Sequence, residues 1–177
     1  MSIAALAEGT LLGRIALLSI EDAQPSLAFK LHIPVRFQEE DAMLSVDLRH
    51  PEVRSWRGLI GRSYLFNEST KRYGKSDGQT YALDDVFGNL RTETRWYDTF
   101  ITGVQFGSEA DGCLEVEVQG TVRVREESIP FTVSTKVKVD GVVLKEEFKD
   151  TAAVLLDLED YQPLQMINGA LKYESRL

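Results

Sequence analysis

Paired carboxylates are the commonest residues in this sequence that could carry out chemistry. They stand side by side or close together in several runs: Glu39-Glu40-Asp41, Asp84-Asp85, Glu146-Glu147, and Asp157 with Glu159 and Asp160. Two carboxylates that flank one bond are the machinery of glycoside hydrolysis. In an acidic chain, however, such runs more often form solvated loops and sheet faces. An enzyme that uses carboxylates or tyrosines in a cleft is therefore the least favoured hypothesis, and we predict a non-enzymatic protein.

Metal and nucleophile chemistry has few candidate residues. The chain holds two histidines, His32 and His50, and a single cysteine, Cys113, far apart in the sequence. A zinc site needs about four ligands, of which the protein supplies at least three. Cys113 follows a glycine at the start of an expected strand and has no neighbouring base to activate it. The phosphate-binding motifs GxxxxGK[ST] and GxGxxG are absent, so we predict no metal and no cofactor.

Composition limits the partners that the chain could bind. Its 177 residues carry a formal net charge of -8 and 43% hydrophobic residues, which suits one folded domain over residues 1–177. An acidic chain without clustered lysine and arginine is a poor candidate for binding nucleic acid or an anionic membrane. One cysteine allows no disulfide within the chain, and Glu8 and Arg14 interrupt the apolar N-terminal segment. We therefore predict no signal peptide and a cytoplasmic location.

The elements that would position these residues are mainly β-strands. From residue 112 to residue 148, apolar side chains alternate with polar ones, which is the period of a half-buried strand. A turn over residues 125–128 is predicted to pair Val124 with Ile129, so that apolar side chains share one face. On the other face this register brings opposite charges together, pairing Glu115 with Lys138 and Glu117 with Lys136.

Two further features extend this segment into a four-stranded antiparallel meander from about 93 to 148. Asp140-Gly141 lies between two alternating runs and predicts a two-residue hairpin, because both central residues of a type I′ turn need positive φ. Residues 95–106 alternate in the same way. The residues expected on the inner face of that strand are Trp96, Phe100, Val104 and Phe106.

The N-terminal half repeats the strand pattern. Residues 27–37 alternate strictly, and Pro34 within them predicts an edge or a bulge because proline has no N–H to donate. Residues 10–20 are the expected hairpin partner of that strand. Residues 43–48 are expected to form the next strand after a short acidic loop over residues 38–42.

The remaining segments are less regular. Pro51 can begin a helix, and Val53, Trp56 and Ile60 follow with helical spacing. Other expectations are a strand at 63–67, a loop over 68–80, a strand or short helix at 151–161, and a turn at Asn168-Gly169. The chain is thus predicted to be all-β and mainly antiparallel, a single-domain sandwich or closed barrel with one short helix near 51–60.

A protein–protein contact is the favoured function. In the predicted register Tyr97 and Ile101 lie on the otherwise polar face of the meander, where apolar side chains need a cover. That cover could be a helix or the C-terminal segment of the same chain, or a partner. The partner would be a second copy of the chain, or a basic protein that the acidic domain binds or inhibits. The predicted contact residues are Tyr97, Ile101, Trp56, Tyr73 and Tyr81.

An enclosed ligand is the alternative function. The alternation around GTVRVREESIPFTV resembles that of small lipid-binding β-barrel proteins. A barrel of about eight strands can hold one small apolar ligand among its inward side chains. The residues that would line such a cavity are Phe29, Phe37, Trp96, Phe100, Phe131 and Phe148.

Overall fold

The computed structural model describes residues 2–18, 22–66, 72–76, 79–83 and 85–177, and for 72–76 and 79–83 it describes the backbone alone. The strands are β1 (Ile3–Ala5), β2 (Gly9–Ala16), β3 (Ser26–Phe37), β4 (Glu40–Arg49), β5 (Ser63–Leu65), β6 (Arg72–Ser76), β7 (Gln79–Leu83), β8 (Val86–Thr92), β9 (Trp96–Ala110), β10 (Cys113–Val124), β11 (Glu127–Leu144), β12 (Gln165–Ile167) and β13 (Ala170–Glu174). The helical elements are 3-10 turns at Trp56–Leu59, Glu146–Phe148 and Leu158–Asp160, and the α-helix α1 at Lys149–Leu155.

One large sheet contains most of these strands. It has 11 strands, with the order β1-β3-β4-β8-β9-β10-β11-β13-β12, and β2 pairs with both β11 and β3. Because β2 joins those two strands, the pairings run from β3 through β4, β8, β9, β10, β11 and β2 back to β3 in a closed ring. The β2–β11 pairing is parallel, and every other pairing in the described part of the chain is antiparallel. The predicted all-β, mainly antiparallel fold is confirmed; its finer form, sandwich or barrel, stays a prediction.

Most apolar side chains of the ring face inward and form one core. Among the largest fully buried residues are Phe29 and Phe37 on β3 and Phe106 on β9, and Trp56 and Tyr161 lie against the same core from the loops. Burial of each side chain of this size stabilises the fold by about 1.5–3 kcal/mol. The core therefore accounts for the strict alternation seen in the sequence.

The N-terminal strands follow the sequence prediction closely. β2 and β3 form the expected antiparallel hairpin, and β4 follows after a tight turn at Gln38-Glu39, both of which have positive φ. Pro34 lies where β3 changes partner, since β1 pairs with β3 only from Val35 onward and β2 only as far as His32. The missing N–H of Pro34 therefore interrupts no strand pairing.

The β10–β11 hairpin is tighter than the sequence predicted. Its turn holds only Arg125 and Glu126, with Arg125 at a φ of 57°, and Val124 pairs with Glu127 instead of Ile129. The register is thus displaced by two residues, which leaves every side chain on its predicted face because the strand period is two. In this register Lys136 lies opposite Glu115 and Ser134 lies opposite Glu117.

The predicted hairpin at Asp140-Gly141 is wrong. β11 continues through both residues to Leu144, and neither has positive φ. β2 pairs with β11 at residues 137–139 and again at 142–144, with a register shift between them, and β13 pairs with residues 141–144. Gly141 is needed for a close approach and not for a turn: a Cβ there would collide with the Tyr173 carbonyl oxygen.

The helical and C-terminal predictions have mixed outcomes. The short helix near 51–60 is confirmed by the 3-10 turn at Trp56–Leu59, and α1 decides the open choice at 151–161 in favour of a helix. Asn168-Gly169, with φ of 48° and 79°, connects β12 to β13 as a hairpin turn. The predicted loop over 68–80 is wrong in part, since β6 and β7 pair there in a separate two-stranded sheet.

Candidate protein-contact site

Strand β9 contains a β-bulge at Thr102. Gly103 pairs with Gln119 on β10, but Ile101 pairs with the next residue, Gly120, so Thr102 has no counterpart. A bulge of this kind displaces the alternation of side chains by one position. Ile101, before the bulge, and Val104, after it, both face the core although they are an odd number of residues apart.

The bulge reverses the predicted orientation of the first half of β9. The side chains of Trp96 and Phe100 were expected inside and instead face outward, with 66% and 51% of their surface exposed. Ile101 was expected outside and is 6% exposed. Tyr97 also turns inward, and its ring packs edge-on against Phe37 with 5.1 Å between the centroids. Continuous alternation through residues 95–106 was therefore wrong.

Among the other predicted contact residues, Trp56 has a described side chain, and that side chain is buried. Trp56 is 1% exposed, and its backbone N–H donates a hydrogen bond of 3.2 Å to Tyr161 Oη. Its burial contradicts a surface role. Tyr73 lies on β6 and Tyr81 on β7, and their side chains fall outside the described part of the structure.

The residues predicted to line a ligand cavity are split between core and surface. Phe29, Phe37 and Phe131 belong to the core cluster, and Phe148 is half-buried against it. Trp96 and Phe100, which complete that set, lie on the outer surface. The inward phenylalanines thus pack with their neighbours, and the ligand hypothesis stays a prediction.

An aromatic strip, defined here as Phe87, Trp96 and Phe100, runs over the outer face of β8 and β9. Gly88 pairs with Thr99, so Phe87 and Phe100 occupy the next positions of the same two strands. The Arg91 guanidinium lies over the Trp96 ring, 5.0 Å from its centroid. Phe87, which was not predicted as a site residue, is as exposed as Phe100.

A groove continues the strip along β9, beyond the bulge. It has a volume of about 210 Å³. The residues that line it are Ser63, Tyr64, Leu65, Gly103, Val104, Gln105, Glu117 and Gln119. From Trp96 to Gly103 the strip and groove span about 23 Å at the usual rise of a strand. Leu65 forms one wall and is 80% exposed, and Glu117 and Gln119 belong to the opposite wall.

Gly103 belongs to the lining between the two walls. A Cβ at this position would lie 3.6 Å from Leu65 Cδ2 and 3.7 Å from Gln119 Oε1, which are ordinary contacts. Both of those side chains are exposed on the outer face, so the missing side chain of Gly103 leaves room on that face and not in the core.

Hydrogen bonds hold the Glu117 carboxylate in place. Gln119 Nε2 donates to Glu117 Oε1 at 2.8 Å, and Ser134 Oγ donates to Glu117 Oε2 at 3.1 Å. An ionised carboxylate has about four acceptor positions, so it can accept further hydrogen bonds. The groove therefore presents a positioned negative charge opposite an exposed aliphatic side chain.

Several residues considered for catalysis have other contacts. Arg54 forms an ion pair with Asp157 and Arg57 with Asp160, each at 2.8 Å, which ties the first 3-10 turn and the residues before it to the C-terminal segment. Among the described residues no group of three or more His, Cys, Asp or Glu side chains could hold a metal ion. Asp84 lies outside the described residues.

His32 lies on the outer side of β3. Its Nδ1 lies 3.3 Å from Ser45 Oγ. Partial burial, together with the nearby charge of Lys30, lowers the pKa of His32 below its ordinary value. It is therefore a neutral surface residue in contact with a serine at neutral pH.

The fold and this surface define a mostly antiparallel β protein with an outward aromatic strip and an adjoining acidic groove. No helix within the described residues combines the length and the apolar character that crossing a membrane requires. No family model, no curated protein and no solved structure matches the chain. The strip and the groove are therefore the features from which we infer function.

Proposed function

We propose that this protein binds a basic partner protein through the aromatic strip. The observation that carries the proposal is the outward orientation of Trp96, Phe100 and Phe87 on two neighbouring strands. Grouped apolar side chains on a surface are typical of interaction sites, and tryptophan is enriched among the residues that dominate binding energy. The exposure of Trp96 and Phe100 results from the bulge at Thr102. β-Bulges often change the direction of side chains at functional positions.

The charge of the chain favours a basic partner over a second copy. A net charge of -8 makes two copies repel each other and accelerates encounter with a positively charged protein. Asp98 lies between Trp96 and Phe100 on β9, and Glu117 lies in the adjoining groove. Arg91, a basic side chain at the strip, is stacked on Trp96.

We propose binding without catalysis as the mode of action. Asp157 and Asp160, two of the acidic residues considered for chemistry, are engaged in ion pairs with Arg54 and Arg57. These pairs join distant parts of the sequence, since Arg54 and Asp157 are 103 residues apart. The supported role of these carboxylates is to hold the segment around Trp56 against the C-terminal segment.

Panning a random peptide library on the protein tests this proposal. The chain is immobilised as wild type and as the double variant W96S/F100S, and enriched peptides are synthesised for affinity measurement by fluorescence anisotropy. The matched control is V154S/M166S, which removes two equally exposed apolar side chains from α1 and β12. We expect enriched peptides with net positive charge that bind wild type and the control but lose at least tenfold in affinity for W96S/F100S.

Three results would overturn the proposal. They are the absence of any enriched peptide, enrichment of acidic or neutral peptides, and equal affinity for wild type and W96S/F100S. Sedimentation equilibrium of the wild type addresses self-association, where a dimer that W96S/F100S dissociates would replace the basic partner with a second copy.

A further inference from the structure

We propose that the groove at Gly103 is a subsite for one long basic side chain, a lysine or an arginine, of the partner. The inference rests on the proposed function, because it names the anchor that a basic partner would place beside the aromatic strip. It adds a residue-level recognition site to a surface that the sequence alone did not indicate. The groove residues Leu65, Gly103, Glu117 and Gln119 carry it.

Glycine at position 103 has no steric explanation within the described structure. Its φ is not in the left-handed region, and an added Cβ would make only ordinary contacts. Gly88 and Gly120 differ, because a Cβ at Gly88 would lie 2.6 Å from Ile101 Cγ1 and a Cβ at Gly120 would collide with the Phe100 carbonyl oxygen. A glycine inside a strand weakens it, and apart from bulges and bends it marks a place where another group approaches the backbone closely.

The bulge by itself does not require this glycine. The bulge type that depends on glycine places it in the left-handed conformation, which Gly103 does not adopt. The effect of the glycine is to keep the groove open between Leu65 and Gln119. Close approach by a ligand group is the remaining reason for a residue without a side chain.

The walls of the groove match the two parts of a basic side chain. Leu65 offers an exposed aliphatic surface to the methylene stem, which lysine and arginine bury readily along apolar surface. Glu117 offers its carboxylate to the charged head, and the bonds from Gln119 and Ser134 fix its position beforehand. Hydrogen bonds to an ionised acceptor are stronger than neutral ones.

The charge of the lining agrees with this occupant. Of the eight residues around the groove, Glu117 is the only acidic one, and none is basic. An acidic side chain would meet an unfavourable charge there, and an apolar one would leave Glu117 without a counter-charge. The stem is expected over Gly103 and Leu65, with the head at Glu117.

NMR titration with single amino acids tests the subsite without any partner. The probes are Nα-acetyl-arginine amide, Nα-acetyl-lysine amide and, as the uncharged analogue of arginine, Nα-acetyl-citrulline amide. The readouts are the backbone amide signal of Gly103 and the side-chain amide signal of Gln119 in the folded full chain. We expect saturable shifts of both signals with the two basic probes, and at least fivefold weaker binding of citrulline.

Two variants connect the shifts to the groove. G103V fills the space between Leu65 and Gln119 and is expected to abolish the saturable shift of Gln119. E117Q removes the charge and is expected to weaken both basic probes at least fivefold. E115Q is the matched control, because Glu115 is an outward glutamate on the same strand, bonded to Ser108 outside the groove. It is expected to bind the basic probes as the wild type does.

The outcomes separate this inference from the proposed function. Absent or unsaturable shifts, equal shifts with citrulline, or binding that E117Q and G103V leave unchanged would overturn the subsite. If the panned peptides still bind through Trp96 and Phe100 in that case, the proposed function stands without the subsite. If the basic probes bind the groove but no peptide is enriched, the subsite stands as a basic-amino-acid site and the protein-binding proposal fails.

Discussion

Gly103 on β9 lies opposite Gln119 on β10, and the residue two positions earlier, Ile101, lies opposite Gly120. The offset between these two pairs leaves Thr102 as an extra residue. One such residue turns Trp96 and Phe100 away from the core and leaves Val104 and Phe106 in it. The orientation of Trp96 and Phe100 on the outer surface thus depends on one of the two register shifts between β9 and β10.

Trp96 and Trp56 are predicted to differ in their accessibility to a soluble fluorescence quencher. W96F leaves only Trp56, which is buried, so we expect blue-shifted emission and an acrylamide quenching constant several times below that of the wild type. The physical reason is that acrylamide must contact the ring to quench it. Steady-state fluorescence of the wild type and W96F measures this, and equal quenching of the two proteins would contradict the outward position of Trp96.

Alanine is predicted to have opposite effects at two glycines of neighbouring strands. In G120A the new Cβ meets the Phe100 carbonyl oxygen and comes within 2.9 Å of the Phe131 ring, so we expect a loss of about 1–3 kcal/mol in the free energy of unfolding. In G103A the Cβ fits, and a less flexible unfolded chain should stabilise the fold by about 0.4–1 kcal/mol. Urea unfolding of both variants gives these values. A destabilised G103A would mean that the backbone there does require glycine.

Removal of the Tyr161 hydroxyl is predicted to destabilise the end of the ring. Y161F leaves the buried backbone N–H of Trp56 without its acceptor, so we expect a loss of about 1–3 kcal/mol in the free energy of unfolding. The urea midpoint at constant slope measures it. Y97F is the control, because it also removes a hydroxyl from a half-buried ring that packs against Phe37. A loss no larger than that of Y97F would show that the bond contributes little.

Stability is predicted to depend on Tyr161 at high pH. Burial raises the pKa of Tyr161 well above its ordinary value of about 10, and the Trp56 N–H only partly opposes this effect. Above about pH 10 the unfolded chain therefore loses the phenolic proton while the folded chain keeps it, and stability falls as the pH rises. Below about pH 9 both states hold the proton and no dependence arises from this group.

The measurement compares wild type and Y161F in urea at pH 9 and pH 11. Because Y161F has no phenolic proton to lose at this position, the wild type should lose more stability than Y161F between these two pH values. A difference between the proteins that stays constant over the interval would show that Tyr161 titrates in the folded state as it does in the unfolded chain.

Much of the wall of the ring could be predicted because local pattern and tertiary burial agree there. Residues 27–37 and 112–124 alternate without interruption, and each strand places its apolar side chains in the core as expected. The predicted β10–β11 register was wrong by two residues, and this error left each side chain on its predicted face of the sheet. At Thr102, one extra residue exchanged the inward and outward side chains in the preceding part of β9.

The candidate site was predicted less well than the fold. Trp96 and Phe100 were recognised as important aromatics but assigned to the wrong side, and Leu65, Phe87 and Glu117 were not linked to a site. A glycine within a strand pattern is a known signal of a bulge, and Thr102-Gly103 carries that signal. The effect of the bulge on side-chain orientation could not be predicted from the local sequence, because the extra residue is defined only by the pairing with β10.

The sequence by itself determined the longer strands of the ring and, where they are regular, which side chains are apolar enough to be buried, because alternation and burial share a period of two. The tertiary structure alone decided where that period breaks, which strands meet, and that β2 closes the ring by pairing in parallel with β11. It also kept Asp140-Gly141 extended, since the Ser175 N–H donates to the Asp140 carbonyl oxygen, Gly141 pairs with β13, and β2 pairs with β11 both before and after these two residues. These are relationships between residues distant in sequence, and only the packed chain brings them together.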